Sequence, residues 1–162
     1  MSHYEIINIE SGDFNKCAQV IRAAFATVAA QFGLTTENCP TNAAFITEDR
    51  LIYDKSKGNS MFALAAGGET VGFMQLEKKD DGRFELKNIA VVPEHRHNGC
   101  GKMLLDVAKA KVRELGGSKI SIGIIEENTV LKNWYTANGF VHMGTKKFEH
   151  LPFTVGFMET AV

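Results

Sequence analysis

Phe84–Lys102 reads FELKNIAVVPEHRHNGCGK, and its first half does not fit a regular strand. Phe84 and Leu86 share one face of an extended chain, whereas Ile89 and Val91 fall on the opposite parity. One extra residue near Lys87–Asn88 brings both pairs onto one face, which is the effect of a β-bulge. The alternative is an edge strand buried on both faces. A bulge splays the strand and frees main-chain N–H and C=O groups, and such distortions gather beside active sites. Pro93 ends the strand, since it has no N–H for a ladder.

The second half, Arg96-His97-Asn98-Gly99-Cys100-Gly101-Lys102, runs straight into an amphipathic helix. The first-turn N–H groups of a helix have no intrahelical partner and carry the positive end of its dipole. With glycines that allow close approach, they form an anion cradle of a size suited to a pyrophosphate. Arg96 adds a forked donor at the rim and Lys102 a compact ammonium. Two commoner phosphate motifs are absent: Leu104 stands where the dinucleotide fingerprint needs a third glycine, and Met103 where a Walker loop needs Ser or Thr. Glycines before a helix are by themselves most often a plain turn; the position after a bulged strand gives these their weight.

Working outward, Tyr4–Ile9 reads as a strand, and Ser11-Gly12-Asp13 as capping residues for a helix whose apolar stripe, Phe14 to Phe32, ends at Gly33. That stripe is core or pocket wall. Leu34–Pro40 reads as a loop and Thr41–Tyr53 as a second helix. Met61–Ala66 and Thr70–Leu76 form hairpins with the strand at Phe84, turning at Gly67-Gly68 and Asp81-Gly82. The helix from Gly101 to Leu115 closes at Gly116-Gly117; a strand at Lys119–Ile125, a short helix at Asn128–Asn138 and strands near Phe140–Thr145 and Thr154–Met158 follow. This order predicts one mixed α/β domain over residues 1–162. The hairpins make its central sheet mostly antiparallel.

The whole chain bounds the function. Its 162 residues suit one domain, with 44% hydrophobic and 23% charged residues. Eighteen Lys+Arg against 19 Asp+Glu leave a net charge of −1, so nothing draws in a polyanion and nucleic acid is excluded as the main partner. Three widely spaced cysteines and no basic-then-apolar leader predict a reducing cytoplasm, and no apolar run approaches the ~20 residues of a bilayer span. His95 and His97 flank Arg96 without further ligands, which is poor metal geometry; no metal is expected, and both read as solvated. Cys100 needs only to be small between its glycines, although a helix start lowers a thiol pKa and favours alkylation. Asn128 is a good helix cap, and Tyr135 by itself reads as a packing aromatic with its hydroxyl satisfied at the surface. The aromatic-rich close, Lys146–Thr160, reads as a strand plus loop, as pocket wall, or as the face of a homodimer.

IAVVPEHRHNGCGKMLLD (Ile89–Asp106), followed by NTVLKNWYTANGF (Asn128–Phe140), resembles the GNAT superfamily of acetyl-CoA-dependent N-acetyltransferases. Arg96, Gly99 and Gly101 match that family's R/Q-x-x-G-x-G/A loop, and Asn128, Tyr135, Gly139 and Phe140 its Asn…Tyr…GF segment. The resemblance implies a GNAT-like fold, its sheet splayed between the strands starting at Phe84 and Lys119 with helices on both faces, and acetyl-CoA as acyl donor. The pantetheine arm would pair with the main chain of Ile89, Ala90 and Val91, and the pyrophosphate would lie on Arg96, His97, Asn98, Gly99, Cys100, Gly101 and Lys102. It further implies direct attack by a primary amine of a small molecule or protein, an oxyanion held by the N–H of Ile89 or its neighbour, and protonation of the thiolate by Tyr135. Asn128 would hold the arm or the segment around it. Members similar to the ribosomal-protein acetyltransferases carry Glu five residues before this Asn, where Gly123 stands here, so Glu85, Glu126 or water is left as general base. Glu37, Glu48 and Asp49 could attract a cationic acceptor, or be surface charge. Rival readings are another acyl-CoA acyltransferase, including one for protein N-termini, and a non-catalytic acyl-CoA-binding or regulatory module.

Overall fold

The computed structural model describes residues 3–162. Seven strands form one sheet in the order β1-β2-β3-β4-β5-β7-β6: β1 (Tyr4–Asn8), β2 (Ser60–Ala66), β3 (Glu69–Lys78), β4 (Arg83–Val91), β5 (Lys119–Ile125), β6 (Val141–Lys147) and β7 (Thr154–Ala161). The β4–β5 pair is parallel and every other neighbour antiparallel. The helices are α1 (Phe14–Phe32), α2 (Glu48–Ser56), α3 (Cys100–Glu114) and α4 (Thr129–Ala137). Side chains alternate across β3, and each face has its own cover. Gln75 bonds Asp54 of α2, whereas a Cβ at Gly72 would stand 3.4 Å from Leu104 of α3.

The bulge is present. Lys87 pairs with Gln75 and Ala90 with Phe73, so Asn88 and Ile89 stand against Met74 alone, and Asn88 adopts φ 55°. Beyond it the faces have exchanged parity: Leu86 pairs with Leu76 and Val91 with Gly72, residues of one face. Phe84 and Leu86 are sealed, but Ile89 and Val91 are half-buried because the sheet is open beside them.

That opening follows from a short ladder. β4 and β5 are paired only from Arg83↔Lys119 to Glu85↔Ser121, after which the strands part. On its far edge β5 is paired with β7 from Lys119 to Ile125, so the gap lies on one side of it.

Two local expectations are corrected. Asp13 has a left-handed backbone (φ 60°) and makes no side-chain cap; α1 is anchored by burial of Cys17, Ala18, Ile21 and Ala24, with Gly33 (φ 65°) at its close. The stretch from Thr41 splits into a 3-10 turn at Ala43–Phe45 and α2, whose cap is Thr47, accepting from the Arg50 N–H. Among the described residues no helix is long and apolar enough to cross a membrane.

Candidate functional site

Where β4 and β5 part, a cleft of about 770 Å³ runs from the sheet to the start of α3. One wall is β4 from Glu85 to Val91; its edge towards β5 has no ladder partner beyond Glu85. Unpaired strand edges carry rows of N–H and C=O groups at the spacing an extended, amide-bearing ligand can match. The opposite walls are Ile122, Gly123 and Ile124 of β5, Asn128 with Val130, Leu131, Trp134 and Tyr135 of α4, and the α1 residues Ala24, Phe25, Thr27, Val28 and Gln31.

The floor of the polar end is the turn into α3. Gly99 takes φ 79°, which only glycine adopts without strain, and nothing lies within 4 Å of where its Cβ would be. Gly101 is small for another reason: a Cβ there would stand 3.0 Å from the Trp134 ring, so α4 packs directly over the first turn of α3. Among the positions expected to form the cradle, Arg96, His97, Gly99, Cys100, Gly101 and Lys102 all line the cleft. Lys102 is exposed and lies 2.9 Å from Asp106, an ion pair easily broken at the surface.

Arg96 and Asn98 also have partners within the protein. The Arg96 guanidinium donates to the Ala24 carbonyl (2.8 Å), to Thr27 Oγ1 (3.2 Å) and to the Val91 carbonyl (3.3 Å). Its fork therefore ties the loop to α1 rather than standing free at the rim. Asn98 does not line the cleft; its amide donates to the Tyr4 hydroxyl (3.2 Å), which also bonds His95 Nδ1 (3.0 Å). His95 is thus held by β1 and is not simply solvated. Cys100 is 2% exposed, which removes the expectation of easy alkylation.

Tyr135 is buried against Trp134 and Phe140, whose rings meet it edge-on at 5.0 and 5.1 Å. Burial pushes its phenol well above the usual tyrosine value. Asn128 is the α4 cap: its Oδ1 accepts from the Leu131 N–H at 3.2 Å while the residue lines the cleft. Glu85 is the only carboxylate among the described lining residues, and Lys79 lies 3.3 Å from it. Glu126 is elsewhere. It is bound by Lys132 and by His142 (2.9 Å) between α4 and β6, bonds that hold its carboxyl below the usual range, and it does not face the cleft. Glu37, Glu48 and Asp49 do not line it either. Sequence reasoning missed Trp134 and Gln31 as wall residues; the three-residue step from Leu131 and the position on the α1 stripe were the available signals.

The family model described as the acetyltransferase (GNAT) family matches residues 29–140. The chain belongs to the GNAT acetyltransferase family. Membership makes it an acyltransferase of the N-acetyltransferase kind. An uncharacterized N-acetyltransferase from Lactobacillus delbrueckii subsp. lactis is 26% identical over 161 residues, 91% of this chain and 90% of that protein. PaiA N-acetyltransferase from Thermoplasma acidophilum, solved in complex with coenzyme A, superposes with a TM-score of 0.82 at 21% identity, covering 99% of both chains. A GNAT acetyltransferase from Elizabethkingia anophelis with acetyl-CoA bound gives 0.60 at 19% identity over 70% of this chain and 82% of that one. At these identities the likeness between structures is one of fold.

Proposed function

We propose that this protein transfers an acetyl group from acetyl-CoA to a primary amine, the amine attacking directly while both substrates are bound. The observation that carries the proposal is the unpaired β4 edge at the bulge, continuous with the open, amide-lined start of α3. The donor set fits coenzyme A: main-chain groups of Ile89, Ala90 and Val91 for the amide-bearing arm, and first-turn amides with Lys102 for the pyrophosphate. The cradle at Gly99 is not filled by the protein's own side chains. When bound, acetyl-CoA supplies an activated acyl carbonyl and a thiolate leaving group. Cys100, the one cysteine among the described lining residues, is buried, which favours direct transfer over an acyl-enzyme.

In this reading the Ile89 N–H faces the charge that develops on the acyl oxygen. Tyr135 holds the proton that the departing sulfur takes up, and Asn128 keeps α4 and therefore Tyr135 in place. Glu85 accepts the proton lost by the acceptor amine, directly or through water, with Lys79 beside it. Gly123 leaves room on β5 where a side chain would narrow the entrance.

The test is release of free CoA thiol from acetyl-CoA across a panel of small amines, amino acids and peptide N-termini. Release above the amine-free background with one acceptor class is the expected result. Binding of CoA with no release across the panel would leave a CoA-binding module and overturn the transferase reading.

A further inference from the structure

Gln75 lies on β3, fully buried, at the centre of four polar side chains that cross the core from α2 to the bulge. Its amide nitrogen donates to Asp54 Oδ2 (3.1 Å) and to Asn88 Oδ1 (2.7 Å), and its oxygen accepts from the Asn59 amide (2.9 Å). Asp54, itself 1% exposed, takes its other bond from Arg50 Nε at 3.1 Å. Every donor and acceptor on the Gln75 amide has work, and the arrangement has one orientation: the Asp54 carboxylate forces the NH₂ group towards itself, which aims the second N–H at Asn88.

Buried polar clusters are costly compared with apolar packing, and their best-attested return is to specify one arrangement among competitors. Here the competitors are visible. A regular β4 would leave no residue unmatched against β3, whereas the observed strand places Asn88 and Ile89 against Met74, with Asn88 at φ 55°. Asn tolerates that conformation better than most residues but does not demand it. The bond from Gln75 to the Asn88 side chain rewards the bulged register specifically, because a regular strand would turn residue 88 to the opposite face.

We propose that Gln75, oriented by Asp54 and Asn59, is a positioning residue for acyl transfer: it locks Asn88 in the left-handed conformation and so aims the Ile89 N–H at the acyl oxygen. This rests on the reading that the bulge receives the thioester. Gln75 touches neither substrate; it acts through Asn88.

Calorimetric titration with acetyl-CoA and with free CoA, without acceptor, separates the acyl contact from the rest of the ligand. In Gln75→Met the ratio of acetyl-CoA to CoA affinity is expected to fall about tenfold, with CoA affinity itself held within about twofold. Glycine adopts positive φ unaided, so Asn88→Gly should lower the ratio by less than about threefold, and Gln75→Met should cost little more in that background. Equal weakening of both ligands, or penalties that simply add, would overturn the proposal. If Gln75→Met does not fold, Asn88→Ala decides: it should lose the ratio that Asn88→Gly keeps, and equal behaviour of the two refutes the lock. Wild-type protein that binds neither ligand would instead refute the cofactor reading itself, and the positioning role with it.

Discussion

The two walls of the cleft are made of different material. On the β4–α3 side the groups facing the opening are main-chain: an unpaired strand edge and the first-turn amides of a helix. On the α1 side they are side chains, Ala24, Phe25, Thr27, Val28 and Gln31, because a helix interior spends its own N–H and C=O groups on itself. A backbone-built wall has one shape whatever the neighbouring side chains, and suits a ligand that never changes. A side-chain wall can be rewritten residue by residue. On the proposed function the acyl donor lies along the first and acceptor choice falls to the second, with Arg96, bonded to both Val91 and Ala24, as the tie between them.

The largest expected effect breaks the backbone wall. Gly99→Glu forces an L-residue to φ 79° and sets a carboxylate in the cradle, so CoA affinity should fall about 100-fold or more and the thermal shift induced by CoA should vanish. An undiminished shift would remove the turn from the binding site. Next, Tyr135→Phe should lower turnover about 100-fold while the CoA-induced shift stays intact, separating chemistry from grip. The same variant has a pH signature. Burial raises the Tyr135 pKa, so the folded protein keeps a proton that the unfolded chain releases above about pH 10; stability is full below that value, falls as pH rises past it, and falls less in the Phe variant.

A smaller effect tests the other wall. Gln31 is exposed at the cleft margin, and Gln31→Ala should change the acceptor KM by about threefold to tenfold without altering CoA affinity, as read by titration calorimetry. The reverse pattern would mean that α1 grips the donor. The smallest effect lies outside both walls. Glu126→Gln should leave transfer unchanged and cost no more than about 1 kcal/mol at neutral pH. Because Lys132 and His142 lower the Glu126 pKa, its contribution is present above about pH 4.3 and is lost as pH falls through the lower folded value. Acid denaturation of the variant should lack that slope.

What could be read from the sequence follows the same division. The bulge left a parity break at Phe84, Leu86, Ile89 and Val91, and the cradle left glycines before an amphipathic helix, since backbone geometry constrains which residues can stand there. The α1 wall was visible only as an apolar stripe, because helical periodicity says which face is covered and not whether core or cleft covers it. Arg96 was read as a free rim charge; its partners, Ala24 and Thr27, lie about seventy positions earlier, and only the tertiary structure brings them together. The Asp54–Gln75–Asn88 chain left no local pattern either, since its members come from three separate elements. Glu126 and Glu85 were indistinguishable as carboxylates; the fold sets Glu126 against His142 of β6 and Glu85 in the cleft wall.

The central claim is that main-chain amides at the start of α3 and along the bulged strand hold coenzyme A. Titrating isotope-labelled protein with CoA while following backbone amide resonances tests it directly. The account predicts the largest shifts at Gly99–Met103 and Ile89–Val91, with α1 moving little beyond its Arg96 contacts. Shifts concentrated on α1, or scattered over the surface with those two segments silent, would contradict it.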